Sequence, residues 1–256
     1  MKTVDLNCDM GELPAAIADG TQEALMPWLK SVNIACGGHA GDATTMQTTV
    51  EQALRHRLAI GAHPGYPDRA NFGRKEMTLP PAAVQAFVFE QACALAEIAE
   101  RCGATLSHVK PHGALYNQAV RDRALARAIA DGVAQWNRDV VLVGLAGSPM
   151  LDAFRERGFA VVAEAFADRR YQPDGSLRSR AFEDALIRDP AEAGRQALRI
   201  VAHGSVIAHD GTEVAVDAQT LCIHGDTPGA VEIAEAVVRA LRAGGIVLRA
   251  LSARGK

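Results

Sequence analysis

Short apolar runs recur along the chain, and most of them stop abruptly in a cluster of polar residues. Residues 4–8, 32–36, 58–62, 106–109, 140–146, 160–166 and 221–224 have strand length. The stretch 140–146 is apolar throughout, as in strands covered on both faces of a parallel sheet. Between these runs the apolar spacing lengthens to three and four residues. It predicts helices over 21–30, broken or kinked by Pro27, over 42–55 with Asp42 as cap, and from Pro80-Pro81 to about 101. Further helices are expected over 121–135, from Ser148-Pro149 to Gly158, from the Asp189-Pro190-Ala191-Glu192 capping box to about 203, and from Thr227-Pro228 to about 243. Asp210-Gly211 between two short β-prone runs predicts a hairpin decorating the domain, and 246–251 a closing strand. Strands alternating with helices imply a parallel sheet. About seven such units imply a (β/α) barrel, taken as one domain over 1–256.

The polar clusters all fall at strand ends. They are Asn7-Cys8-Asp9-Met10-Gly11-Glu12, Asn33 to His39, His63-Pro64-Gly65, His108-Val109-Lys110-Pro111-His112, Glu164 to Arg169 and Cys222-Ile223-His224-Gly225-Asp226. Pro111 lacks an N–H and should end its strand, leaving Lys110 and His112 at the carboxyl end, where α/β folds gather ligands and chemistry. Six polar ends in one fold suggest a shared pocket. The long polar stretch 63–78, carrying Tyr66, Phe72 and Arg74, is expected to be a lid or partner surface.

Composition narrows the function classes. A net charge of −3 and few aromatics argue against nucleic-acid binding. Asp5 interrupts the N-terminus before a signal-like apolar region forms, and no stretch reads as a membrane span, so a cytoplasmic protein is expected. The five cysteines are odd in number and lack a C-x-x-C pair, so they are expected to be reduced and mostly core.

No P-loop and no G-x-G-x-x-G after a strand is present. Gly37-Gly38-His39-Ala40-Gly41 before the helix opened by Asp42 is either a tight turn or a cradle for phosphate or carboxylate. His108 and His112, four extended residues apart, would be separated by roughly 13 Å and could share a metal only if the chain folds at Pro111. Asp9 and Glu12 with His39, His63 and His224 suit acid/base work. A divalent ion at Asp9, His39, His63 and His224 is the less favoured alternative, and no metal is expected.

Seven blocks together resemble the LamB/YcsF family: Asn7 to Glu12, residues 31–42, Gly61-Ala62-His63-Pro64-Gly65-Tyr66-Pro67-Asp68, Phe72-Gly73-Arg74, 108–117, 164–171 and 222–226. The resemblance spans nearly the whole chain. It implies a barrel related to the polysaccharide-deacetylase type and membership, as the A subunit, of an ATP-dependent 5-oxoprolinase with subunits B and C. That enzyme opens 5-oxo-L-proline to L-glutamate while ATP, with Mg, becomes ADP and phosphate, with no tightly bound organic cofactor. Asp9, His39, His63, Lys110, His112 and Glu164 are then the expected catalytic residues, with the Lys110 ammonium on phosphate or oxyanion. Asn7, Gly37, Gly38, Asp42, Arg74, Asn117, Asp168, Arg169, Arg178, His224 and Asp226 are expected to bind substrate or phosphate. Two other readings stay open: a metal-dependent deacetylase or amidohydrolase, and a non-catalytic substrate-binding subunit.

Overall fold

The computed structural model describes residues 1–251, so the last five residues of the expected domain lie outside it. Its strands are β1 (Thr3–Met10), β2 (Ser31–Ala35), β3 (Ala59–His63), β4 (Leu106–Val109), β5 (Val141–Leu145), β6 (Val161–Phe166), β7 (Ser205–Ile207), β8 (Glu213–Ala215), β9 (Thr220–Ile223) and β10 (Val247–Leu248). Strands β1 to β6 and β9 pair in parallel in that order, and β9 pairs back onto β1 through Asp5 to Cys8, closing a seven-stranded barrel. The expected closing strand at 246–251 has a different place. β9 already occupies that edge, so β10 pairs only with Thr3 and Val4 at the start of β1.

The helices are α1 (Pro14–Ala18), α2 (Thr21–Leu25), α3 (Ala43–Arg55), α4 (Pro81–Arg101), α5 (Gly113–Ala119), α6 (Arg123–Trp136), α7 (Pro149–Glu156), α8 (Pro190–His203) and α9 (Ala230–Ala243). Pro27 has its expected effect: α2 stops at Leu25 and a 3-10 turn takes over. Asp42 caps α3 by accepting from Thr45 N at 2.9 Å, and its own N–H donates to Thr45 Oγ1 at 2.8 Å. Asp189 caps α8 through Glu192 N at 2.6 Å, but the Glu192 carboxylate turns to Arg170, so the expected box is half formed. Ser148 does not cap α7; its hydroxyl donates to Leu145 O at 2.7 Å. Helix α4 has a window of mean hydropathy 1.3, long enough to cross a membrane. Its Val84, Val88 and Leu95 are buried and it lies along α6, the packing of a core helix.

Residues two apart on a strand share a side, and this alternation divides the barrel's chemistry. Leu6, Cys8, Val32 and Ile34 join the apolar layer beneath the helices. Asp5, Asn7 and Asp9 on β1, with Ser31 and Asn33 on β2 and Thr220 on β9, are linked to one another by side-chain hydrogen bonds. Ser31 and Thr220 donate to Asp5 Oδ2 at 2.7 and 2.5 Å. Burial nevertheless dominates there and pushes the Asp5 carboxyl up to about 7. A buried polar column like this is tolerable only because nearly every member finds a partner.

The expected lid over 63–78 is a correction. Tyr66 is buried in the chain's own core, its hydroxyl donating to Gln118 Oε1 at 2.8 Å. Ala114 N donates to Gly73 O and His112 N to Pro64 O, so the loop is stitched down as a roof over the strand ends. Gly73 sits at φ +61°, and an added Cβ there would lie 2.6 Å from His39 Cβ. The roof closes only because glycine occupies that position.

Candidate active site

At the carboxyl end of the barrel the side chains of Asp9, Glu12, His63, Lys110 and His112 reach the floor of a cavity of about 770 Å³. Asp9 is the hub. Its Oδ1 accepts from Lys110 Nζ at 3.0 Å and Asn33 Nδ2 at 2.8 Å, while Oδ2 lies 3.2 Å from His63 Nε2. Burial alone would raise the Asp9 carboxyl, but His63 and then Lys110 outweigh it and hold the group well below the ordinary carboxylate range. The converse holds at His63. Burial disfavours its charged form, yet the Asp9 carboxylate more than compensates and raises it above its ordinary value.

Lys110 follows β4 and reaches the cavity floor as expected, but its ammonium is not left free. Its three protons face Glu164 Oε1 at 2.8 Å, Asp9 Oδ1 at 3.0 Å, Cys222 Sγ at 3.2 Å and Asn7 Oδ1 at 3.3 Å. Burial would lower the ammonium, but Asp9 and the groups around it raise it well above its ordinary value. An ammonium already saturated by protein acceptors has no free donor for an incoming phosphate. Its position serves instead to keep Asp9 ionised and oriented.

A second layer stands beside this one. Glu12 is carried back over β1 by Gly11 at φ +74°, and its Oε1 lies 2.9 Å from His39 Nε2 and 3.1 Å from His112 Nδ1. Burial raises Glu12, and the His112 and His39 rings held against it reverse that and bring it below its ordinary value. Burial lowers His39 to about 3, with Glu12 offsetting only part, and lowers His112 as well. The alternative metal set of Asp9, His39, His63 and His224 is not what converges. Glu12, His39, His63 and His112 form one group, and Asp9, Cys222 and His224 another. His108 stays apart, its Nε2 on Asn33 Oδ1 at 2.8 Å, so the chain does not fold to pair it with His112 on one ion.

The remaining expected residues divide by place. Arg74, Asn117, Arg169, Arg178, His224 and Asp226 line the cavity. Asp168 lies behind His224, accepting from its N–H at 2.8 Å and meeting Nδ1 at 2.9 Å. Asn7 lies beneath the floor, donating to Thr220 Oγ1 at 2.7 Å and Glu164 Oε1 at 3.1 Å. Gly37, Gly38 and Asp42 do not reach the cavity, and the anion cradle is a correction. The carbonyls of Gly37 and Gly41 are taken by the Arg69 guanidinium, Gly37 N bonds Ala40 O, and Asp42 is spent on its cap.

Several functional positions escape the sequence reading. Arg180, from the irregular stretch after β6, joins Arg74 on Asp226 Oδ2, at 3.2 and 2.6 Å, across the mouth of the cavity. Nothing in that stretch marks it out. The hairpin β7–β8 is more than decoration, because Val214 and Ala215 form part of the rim. Tyr116 has a buried hydroxyl with no hydrogen-bond partner among the described residues, and burial together with the Glu164 carboxylate raises it well above its ordinary value. Its signal was faint: it falls on α5, a helix that begins at the glycine expected to be loop.

The LamB/YcsF family model matches residues 4–256. The chain belongs to the LamB/YcsF family. A relative in Chloroflexus aggregans, named as the A subunit of 5-oxoprolinase, is 51% identical over 249 residues, covering 97% of this chain and 99% of that one. The crystal structure of a lactam utilization protein from Thermus thermophilus is 47% identical, with a TM-score of 0.90 over 98% of this LamB/YcsF chain and all of that one. A polysaccharide deacetylase from Bacillus cereus, 12% identical, covers 98% of this chain and 92% of its own with a TM-score of 0.50. At that identity the likeness concerns the barrel alone, and it agrees with the fold type expected.

Proposed function

We propose that this chain acts in the ATP-dependent hydrolysis of 5-oxo-L-proline to L-glutamate, giving ADP and phosphate, as the A subunit of a cytoplasmic complex with subunits B and C. The observation that carries the reading is the end-to-end identity of 51% with a protein named as the A subunit of 5-oxoprolinase. The site supports the chemistry independently of that name.

A lactam carbonyl is stabilised by the same resonance that gives a peptide bond its barrier of about 18–20 kcal/mol. Phosphorylating the lactam oxygen activates the ring carbon: one water adds there, the ring nitrogen departs with a proton to leave an acyl phosphate, and a second water then releases phosphate and L-glutamate. The protein must then supply a base, an acid and cations for the phosphate. Asp9, ionised and aimed by Lys110 and Asn33, is the base for water. His63, sharing a proton with Asp9 across 3.2 Å, is the acid for the ring nitrogen. Glu12 and His112 extend the relay, His39 orients Glu12, and Glu164 orients Lys110.

ATP with Mg²⁺ enters as co-substrate rather than resident cofactor. The residues suited to its phosphates are the guanidinium groups at the mouth. Arg169 is 6% exposed and its buried Nε has no partner among the described residues, the state of a donor awaiting an acceptor. Burial and the neighbouring Arg180 guanidinium lower it to about 10, which leaves it charged at neutral pH. Arg169 and Arg180, with Arg74 and Arg178 along the same wall, offer the bidentate geometry that phosphate accepts.

The test measures glutamate and phosphate from 5-oxoproline by the chain alone and by the chain mixed with subunits B and C, with and without ATP. Equimolar glutamate and phosphate from the mixture alone is expected. Turnover of an N-acetyl substrate without ATP would replace the reading with a deacetylase.

A further inference from the structure

Two backbone carbonyls fix the protonation of the innermost histidines. His63 Nδ1 lies 2.7 Å from Lys110 O, and His112 Nε2 lies 2.9 Å from Phe72 O. A carbonyl only accepts, so each of these nitrogens carries a hydrogen, and in the neutral rings the opposite nitrogens present lone pairs. Phe72 is held at φ +53°, an uncommon backbone state for a bulky side chain, with its carbonyl on His112.

The two lone pairs meet. His63 Nε2 and His112 Nδ1 are 3.0 Å apart, and Glu12 Oε1 is 3.1 Å from His112 Nδ1 and 3.7 Å from His63 Nε2. Three acceptors therefore converge in a buried place. One proton on His63 Nε2 can serve a single line among them and leaves Glu12 Oε1 facing a lone pair on His112. A cation at the centre serves all three at once.

We propose that His63 Nε2, His112 Nδ1 and Glu12 Oε1 form a site for one divalent transition-metal ion of the zinc class. A tetrahedral ion with bonds of about 2.0–2.2 Å needs ligand atoms roughly 3.3–3.6 Å from each other, and the observed 3.0 to 3.7 Å brackets that range. The His63 and His112 rings are inclined at 86°, so their in-plane lone pairs can point at one centre. His39 is not a ligand. Its ring stacks on His112 at 3.6 Å and 3°, and parallel rings cannot both aim in-plane lone pairs at one ion. It donates to Glu12 instead, and the carbonyls on His63 and His112 complete the outer contacts that ligating groups require. Two imidazoles and one carboxylate favour zinc, cobalt or nickel over magnesium or calcium. Such an ion supplies a bound water acid enough to ionise near neutral pH.

The ion and a proton on His63 Nε2 exclude one another, so the acid role given to His63 above belongs to the ion-free site; the test uses neither 5-oxoproline nor ATP. The chelator-stripped full chain is titrated with Zn²⁺ by calorimetry. Co²⁺ is added to a parallel sample, and its visible absorption reports ring-nitrogen ligation. One ion per chain with a Kd below about 1 µM is expected. His112→Gln should lose at least about 100-fold, while His39→Gln, one step removed, should lose about 10- to 100-fold with stoichiometry unchanged. No Zn²⁺ uptake by the wild-type chain at about 100 µM, or His112→Gln binding as the wild type does, overturns the site. The wild-type titration decides the matter even if a variant fails to fold.

Discussion

Replacing Lys110 by methionine keeps the stem and removes the charge that two carboxylates share. Glu164 is fully enclosed and has the ammonium at 2.8 Å; Asp9 has it at 3.0 Å but opens onto the cavity, with its side chain 13% exposed. Glu164 therefore bears most of the cost, because water can partly replace the ammonium at Asp9 and cannot at Glu164. Breaking a buried pair while leaving one partner charged costs about 3–5 kcal/mol. At roughly 2–4 °C per kcal/mol for a chain of this size, Tm should fall by about 6–20 °C. The remedy is equally specific. Lys110→Met with Glu164→Gln removes the stranded charge, and the double variant should recover at least about 2 kcal/mol of the loss. Urea and thermal melts of wild type, both single variants and the double variant give the coupling. A fall below about 1 kcal/mol for Lys110→Met, or a double variant no more stable than Lys110→Met, would refute the view of Lys110 as the ion that holds Asp9 and Glu164 in place.

Asp5 makes stability depend on pH. Its folded carboxyl, raised to about 7 from an ordinary value near 3.8, binds a proton more tightly folded than unfolded, so its contribution is complete below pH 4 and disappears as pH rises through 7. At about 1.4 kcal/mol per unit the swing is roughly 4 kcal/mol, and Asp5→Asn should flatten the Tm profile between pH 5 and 8; an unchanged slope would contradict this. Tyr171→Phe should cost about 1–3 kcal/mol in a urea melt, because Phe166 N loses a buried acceptor at 2.7 Å; a cost near zero would show that water replaces it. Gly73→Ala should lower Tm by several degrees and disturb His39 ring resonances in NMR, given the 2.6 Å approach and the positive φ.

The barrel was legible because its strands are continuous apolar runs whose polar members fall two apart. Asp5, Asn7 and Asp9 are the clearest trace, and they proved to share one hydrogen-bonded column with Ser31, Asn33 and Thr220. The meeting of Asp9, His39, His63, Lys110, His112 and Glu164 was legible because each lies in the carboxyl half of a strand or in the loop that follows it. What could not be read was which atoms meet. The pairing of Glu12 with His112 rather than His224 depends on the turn at Gly11. The roof over 63–78 depends on small residues against the imidazoles, and a polar stretch reads as a lid when its partners are unknown. Arg180 reaches Asp226 from irregular chain, where no periodicity carries information.

The most direct measurement is glutamate formation from 5-oxoproline and ATP by the complex with subunits B and C assembled on wild-type or Asp9→Asn chain. Asparagine keeps the acceptor for Lys110 and removes the proposed base, so Tm should stay within a few degrees while kcat falls by about 100- to 10,000-fold. A folded, assembled Asp9→Asn complex turning over at the wild-type rate would contradict the assignment of the reaction to this strand-end site.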